Sequence, residues 1–466
     1  MWFGLGMSSM SENPLAYEKI SKLLRGFAIP SITATLVSSL YNIVDQIFIG
    51  QGVGYLGNAA TNVSYPLSTI CLAISLLLGI GSASRFSIYL GKRQPELAAG
   101  LVGNGIVLMA VAGLVYLLLG ELFLHPLLRV FGATNQVMPY ARQYAEIVLL
   151  GMPFLILTNG ISNLIRADGS PKYSMLCMVA GAVVNTILDP IFIFVLDWGV
   201  FGAALATILG QILSFLLAIR YLWHFRTVKL TRACFRLEPR DNLRTLYMGI
   251  SSCVNQLAIT LVQIVLNNSL TYYGALSVYG KDIPLAACGI VMKTNAILLS
   301  IIVGISQGVQ PIIGFNFGAG KYDRVRKAYR LAILWNLIVS AVGFCLFEFS
   351  PRPIISLFGD GDPLYFEFAT LFMRTFLFMV LVNGVQLLSS NFFTAIGKAL
   401  RGLLLSLTRQ VFFLIPLILL LPLRLGIFGV LLAGPIADFI AFVVSLLLVS
   451  REFKNLTRLQ ERSHQV

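Results

Sequence analysis

Apolar and polar positions along this chain sort into long blocks. Stretches of about 20 or more mostly apolar residues, long enough to cross a bilayer, alternate with short polar loops, which predicts twelve transmembrane helices. Spans are expected at 24–49, 60–84, 98–120, 139–164, 173–196 and 201–222, and again at 246–273, 284–315, 328–350, 365–395, 402–422 and 427–450. The pattern reads twice, the second half echoing the first at an offset of roughly 228 residues. Leu127-Leu128-Arg129-Val130-Phe131-Gly132 precedes a long apolar segment, and Ile354-Ile355-Ser356-Leu357-Phe358-Gly359 does the same. Ala167-Asp168-Gly169 recurs as Ala395-Ile396-Gly397, and Leu90-Gly91-Lys92 more loosely as Ala319-Gly320-Lys321. An even number of spans in each repeat starts both halves on the same side, so the repeats are parallel about an axis along the membrane normal. The expected fold is an all-α membrane protein of twelve transmembrane helices, arranged as two six-helix lobes with pseudo-two-fold symmetry and a cleft between them. The predicted division is an N-terminal segment over 1–23, lobes over 24–222 and 246–450, a connector over 223–245 and a tail over 451–466.

Composition agrees with a bilayer and changes one question. Hydrophobic residues make up 57% of the chain and charged residues 12%, with a mean hydropathy of +0.83, values no soluble domain of this length holds in solution. The net charge of +14 would also suit a nucleic-acid partner, so the placement of the cations has to decide. Of the 34 Lys and Arg residues, 26 fall in even-numbered loops or at the termini. The positive-inside rule then puts both termini in the cytoplasm of a multi-pass plasma (inner) membrane protein and accounts for the charge without nucleic acid. The basic stretch from Arg220 to Arg244 is interleaved with Thr, Leu, Cys and Phe; it reads as a solvated connector in preference to a lipid-headgroup contact.

Enzyme chemistry has no foothold. No phosphate-cradling loop ends in Lys-Ser/Thr, no His-Glu-x-x-His occurs, and His125, His224 and His464 fall at span edges or in the tail. No catalytic role and no cofactor is expected. The six cysteines, at 71, 177, 234, 253, 288 and 345, lie mostly inside predicted spans without Cys-x-x-Cys spacing, which favours neither disulfides nor a zinc site. Met1 to Asn13 lacks the layout of a cleavable signal, and Met7 and Met10 are alternative starts to Met1.

Attention therefore falls on ionisable groups inside the membrane, which are expensive in hydrocarbon and commonly functional. Asp45 sits late in the first span, and Asn185 and Asp189 lie four apart in the fifth, so both point from one helical face. Both helices run outward, which puts Asp45 and Asp189 in the outer half of the bilayer. Tyr144 and Glu146 enter the fourth span from outside at a depth suited to joining them or to lining the outer mouth. Two carboxylates in a low-dielectric site cannot both stay ionised cheaply, so such a pair is suited to carry a proton. The competing structural reading gives each Asp a satisfied role, with Pro190 freeing a backbone carbonyl beside Asp189.

These residues in this order resemble the multidrug and toxic compound extrusion family, in the branch typified by DNA-damage-inducible protein F, over about 20–450. The resemblance rests on Pro30 fifteen residues before Asp45, on Asn185-x-x-x-Asp189-Pro190, on Thr207 in the sixth span and on Tyr144 in the fourth. It implies a cation site in the N-terminal lobe for H⁺ or Na⁺, linked to expulsion of drugs from the cleft. Asp45 would be the principal protonation site, with Asp189 and Asn185 as partners and Tyr144 and Thr207 as supporting ligands. Pro30 would be a hinge of the first helix. Na⁺ would use Asp45, Asn185, Asp189 and Thr207; no other metal is expected. Relatives with acidic groups in the C-terminal lobe are not matched, because the seventh span offers Asn255, Gln256 and Gln263 and the tenth Asn383 and Gln386.

The cations inside the C-terminal spans complete the reading. Arg409 and Asp438 fall at similar depths and are expected to form a structural pair, whereas Lys293 and Arg374 have no evident partner in sequence. Glu146, Gln256 and Lys293 are candidates for the substrate cavity, and the 11% aromatic content with residues such as Met152 and Met292 suits flat organic cations. The expected function is export of cationic or amphipathic compounds in exchange for H⁺ or Na⁺ by alternating access, performed by a monomer in the lipid bilayer. The alternative is a flippase for lipid-linked oligosaccharides, which would want a cavity rich in Arg and Lys.

Overall fold

The computed structural model describes residues 13–357 and 363–464. Met1, Met7, Met10, Phe358 and Gly359 lie outside the described residues. Among the described residues eleven helices are long and apolar enough to cross a membrane, and a bent pair, counted as one span, makes a twelfth. In chain order they are α1 (Ile20–Gly52), α2 (Leu56–Gly91), α3 (Pro95–Leu122), α4 (Met138–Ala167), α5 (Pro171–Val195) and α6 (Gly199–His224). The second set is α7 (Pro239–Ala275), α8 (Asp282–Gly318), α9 (Tyr322–Phe349), α10 (Pro363–Phe376 with Val380–Ala395), α11 (Ala399–Leu425) and α12 (Ile427–Glu461). Helices satisfy their backbone polar groups internally, which is what crossing hydrocarbon demands. Pro95, Pro171 and Pro239 open α3, α5 and α7 at the first position, where a missing N–H breaks no hydrogen bond.

Several spans depart from the even rods expected. α10 bends by 49° across the break between Phe376 and Val380. α5 relaxes after Pro190 into a π-helical turn over Ile191–Val195, and α11 contains another over Thr408–Leu414. α12 continues as one helix into the segment read as a separate tail, because Glu452, 0% exposed, is gripped by Lys398 and Arg401 from the start of α11.

The connector is largely exposed, as a solvated linker is, but its start is anchored to the first lobe. The buried Asp168, just past α4, accepts from the backbone N–H of Arg226 at 2.8 Å and Thr227 at 3.0 Å, from the Thr227 hydroxyl at 2.5 Å and from Tyr221 Oη at 2.7 Å. Burial pushes this carboxyl above its ordinary value while the hydrogen bonds pull it down. Phe225 packs edge-on against Phe86, and the Cys234 backbone lies against Gly103 of α3. The connector thus clings to the first lobe until α7 begins.

The repeat is visible in the backbone. Gly169 and Gly397 follow α4 and α10 at φ 86° and 82°, left-handed values that suit glycine and explain the echo around them. The looser echo shifts: Arg93, at φ 60°, is the conformational counterpart of Gly320, at φ 70°, and Gly91 corresponds to Gly318. Gly91 meets the Phe315 carbonyl and Gly318 meets the Ile88 carbonyl in reciprocal fashion.

The lobes meet along a seam on the side that carries the connector and the basic loops. Gly81 of α2 touches the Thr245 backbone and Gly249 of α7 touches Leu77; in mirror fashion Gly308 of α8 touches Ala28 and Gly304 touches Ile32 of α1. A Cβ at any of the four would collide with backbone, so close approach requires glycine. Polar groups lock the seam: Arg85 to Asp241 at 2.5 Å, Gln310 Nε2 to Ser84 Oγ at 2.9 Å and Thr35 Oγ1 to the Ser300 carbonyl at 2.8 Å. The segment before α1 docks on the second lobe, where Arg324 donates to the carbonyls of Leu15 and Glu18. Hydrogen bonds between the lobes, among the described residues, stop at Ser39 and Ser300, whose hydroxyls are 2.5 Å apart. Beyond that level the lobes are untied.

Candidate functional site

Above the seam, four helices of the first lobe converge on two carboxyl groups. Asp45 comes from α1, and Asn185 and Asp189 come from one face of α5; Asn185 is 3% and Asp189 0% exposed. α5 reaches α6 through small residues, Gly210 lying against the Gly181 carbonyl. That approach lets Asn185 Nδ2 sit 3.4 Å from Thr207 Oγ1 while it donates to Asp189 Oδ1 at 3.3 Å. The Thr207 hydroxyl donates to the Ala203 carbonyl at 3.0 Å, leaving its oxygen to accept. The Asp45 and Asp189 carboxyl groups lie close enough to act directly on each other.

Three oxygens in this cluster are left over. Asp45 Oδ1, Asp189 Oδ2 and Asn185 Oδ1 are buried with no hydrogen-bond partner, and no Lys or Arg pairs with either acid among the described residues. A buried acceptor without a donor is unfavourable, so these oxygens are the uncompensated part of the cluster. Tyr41 and Tyr144 are close enough to both carboxyls to feel their charge. Ile49, Ile193 and Ala203 lie one turn beyond Asp45, Asp189 and Thr207, and with Tyr144 packed against them they cap the site with apolar surface.

Asp45, Asn185, Asp189, Thr207 and Tyr144 are thus brought together. Tyr41 is a neighbour sequence reasoning passed over, although its four-residue spacing from Asp45 puts both on one face. Glu146 does not join. Two residues from Tyr144 is roughly 200° around a helix, and its carboxylate binds Arg142 at 2.5 Å with 42% of the side chain exposed. Pro30 is buried in α1 at the seam, between the crossings at Ala28 and Ile32.

The second lobe contributes differently. Arg409 Nε lies 2.5 Å from Asp438 Oδ1, the pair the depths suggested. Arg374 has a partner after all, donating from Nε to the Glu348 carbonyl at 2.9 Å. Gln256 is half-buried on α7 and Lys293 is exposed on α8. Counting from the contact of Ser39 with Ser300, Asp45 and Lys293 both lie about 10 Å farther out, so they share one level of the cleft on opposite lobes.

Known proteins of this shape and sequence give the arrangement a context. The sequence profile of the MatE family matches residues 30–191 and 252–420, once in each lobe and over more than half of the chain. The chain is 26% identical over 431 residues to the multidrug export protein MepA of Staphylococcus aureus (strain NCTC 8325 / PS 47), covering 92% of this chain and 93% of that protein. A multidrug resistance MATE family transporter of the MOP superfamily, solved in an outward-facing conformation, matches with a TM-score of 0.90 at 22% identity, over 97% of this chain and 100% of that one. A MOP superfamily transporter from Pyrococcus furiosus, described as having a binding pocket of reverse polarity that suggests a different function, matches at 0.88 and 22% identity, over 95% and 98%. At that identity the two structures speak for the fold.

Proposed function

This chain belongs to the MatE family of multidrug and toxic compound extrusion transporters, and we propose that it is a secondary multidrug exporter that exchanges cationic or amphipathic organic compounds for H⁺. The observation that carries the reading is the closeness of Asp45 to Asp189, with buried unpaired oxygens and no basic partner among the described residues. Ionised carboxylates only accept hydrogen bonds, so two of them in contact share a bond when one holds a proton. Loss of that proton leaves two like charges face to face in a low dielectric, and the helices then have a reason to part.

One helix transmits that change. α1 carries Asp45 at one end and, at the other, the residues that close the seam against α8. Pro30 has no N–H for the Gly26 carbonyl, so the helix is weakest within the seam itself, between the crossings at Ala28 and Ile32. With the basic side in the cytoplasm, the arrangement described is open outward; proton uptake from outside would lower affinity for the exported compound and release it. Na⁺ is the second candidate for the cargo ion, since Asp45, Asp189, Asn185 and Thr207 offer it hard oxygens. The flippase reading has less support: of the three cations read in the middle of the second lobe's spans, Arg409 and Arg374 are bonded elsewhere, which leaves Lys293 for the cleft.

The test uses purified protein in liposomes with a fluorescent cationic dye, under an imposed proton gradient and then a sodium gradient. Dye movement driven by protons and lost in Asp45→Asn is the expected result. Movement driven by sodium alone changes the ion, and proton-driven export retained in Asp45→Asn overturns the assignment of the site.

A further inference from the structure

Two basic side chains among the described residues are buried, Arg85 at 5% and Arg166 at 4% exposure, and both lie at the seam. Arg85 is neutralised by Asp241. Arg166, the second-last residue of α4, is not: no carboxylate lies within ion-pairing distance among the described residues. Its partners are two neutral amides, Gln307 Oε1 of α8 at 2.5 Å and Asn163 Oδ1 at 2.5 Å. A guanidinium has five N–H donors, and the amides use two. The side chain borders a small cavity whose other walls are Ala83 and Ser87 of α2, Asn163, and Gln307, Gln310 and Pro311 of α8. Every lining group except Arg166 is neutral, so the charge removed from water has nothing there to balance it.

We propose that this cavity is a binding site for a small monovalent inorganic anion of chloride size, held by the Arg166 guanidinium and by the polar groups of Ser87 and Gln310. The cavity is close to the size of one water molecule; a halide is somewhat larger and enters as the walls ease outward, and phosphate is shut out. Its walls come from both lobes, so the anion binds while the seam is closed and loses half of its site when the lobes part. The anion is therefore a counter-ion of the closed seam, chemically separate from the cation taken up at Asp45 and Asp189.

The experiment uses the purified full-length protein in detergent and needs no transport. Thermal unfolding is followed in chloride, in bromide and in gluconate at constant ionic strength, and bromide-grown crystals are examined for anomalous scattering. A saturable rise of the midpoint with either halide, absent in gluconate, is expected, with a bromide peak beside Arg166. Arg166→Gln removes the rise. Should that variant fail to fold, Gln307→Glu serves instead: it sets a permanent carboxylate against Arg166, so its midpoint in gluconate holds or increases and the halide adds nothing. Equal midpoints in halide and gluconate, a halide rise that survives in Gln307→Glu, or a cavity holding water alone overturns the proposal.

Discussion

The two lobes bury carboxyl groups in opposite ways. In the first, Asp189 stands just before Pro190 and a π-helical turn, and it faces Asp45 with no basic group between them. In the second, the π-helical turn of α11 itself contains Arg409, which is bonded to Asp438, 4% exposed, on α12. Both solutions answer the same difficulty, the placing of an acid in hydrocarbon. A built-in guanidinium neutralises its acid permanently and ties α11 to α12. On the proposed function, an acid pair without one takes its positive charge from outside, and its state would follow the solution on either side of the membrane. Duplication supplied two similar scaffolds, and the acids buried in them stand at different positions of the repeat with different partners.

Substitutions can break that comparison or sharpen it. The largest effect is expected from Asp45→Asn, which should take ion-driven dye efflux to background while the thermal midpoint stays near wild type. Asp438→Asn should do the reverse. It strands a buried guanidinium and should lower stability by about 3–5 kcal/mol, read by unfolding in detergent, whereas joint replacement by Arg409→Met and Asp438→Leu should recover most of it. A double variant that is stable yet cannot export would put coupling in both lobes and end the contrast.

The mirrored crossings give a smaller effect. Gly249→Val and Gly304→Val each force a side chain into backbone at the seam, an overpacking worth about 1–3 kcal/mol. Because the crossings are related by the pseudo-two-fold axis, the two should slow efflux to similar extents, and a cysteine at Ser87 should label faster from the basic side in both. Unequal responses would show that one crossing carries the motion. Smallest should be Thr207→Val, which removes one neutral hydrogen-bond acceptor worth about 0.5–1.5 kcal/mol. A few-fold shift in the proton concentration that half-saturates exchange, with little change in maximal rate, is the expected reading.

Much of this was legible in residue order. Membrane-length apolar blocks mark the spans because every crossing has to exclude polar side chains, and four-residue spacing puts Asn185 and Asp189 on one face without any knowledge of neighbours. The bend in α10 was hidden, since Leu377, Phe378 and Met379 at the break are as apolar as their surroundings and include neither Gly nor Pro. Arg374 looked unpartnered because its acceptor is a backbone carbonyl, which carries no signature in sequence. Glu146 misled because depth was weighed without rotation about the helix. The docking of the connector was unreadable for another reason: Asp168 draws its donors from residues more than fifty positions away, and short-range pattern holds no trace of them.

The hold of Asp168 on the connector bears on how the protein is made. All of its donors, Tyr221, Arg226 and Thr227, leave the ribosome before α7 does, so the first six helices can be closed off by their own trailing strand while the second half is still being synthesised. The segment around Leu15 has the opposite schedule, because its anchors at Asn316 and Arg324 come from far downstream. The stretch around Leu15, made before α1, is thus among the last to find its place, and a half-built chain presents one finished bundle while that stretch still lacks its anchors.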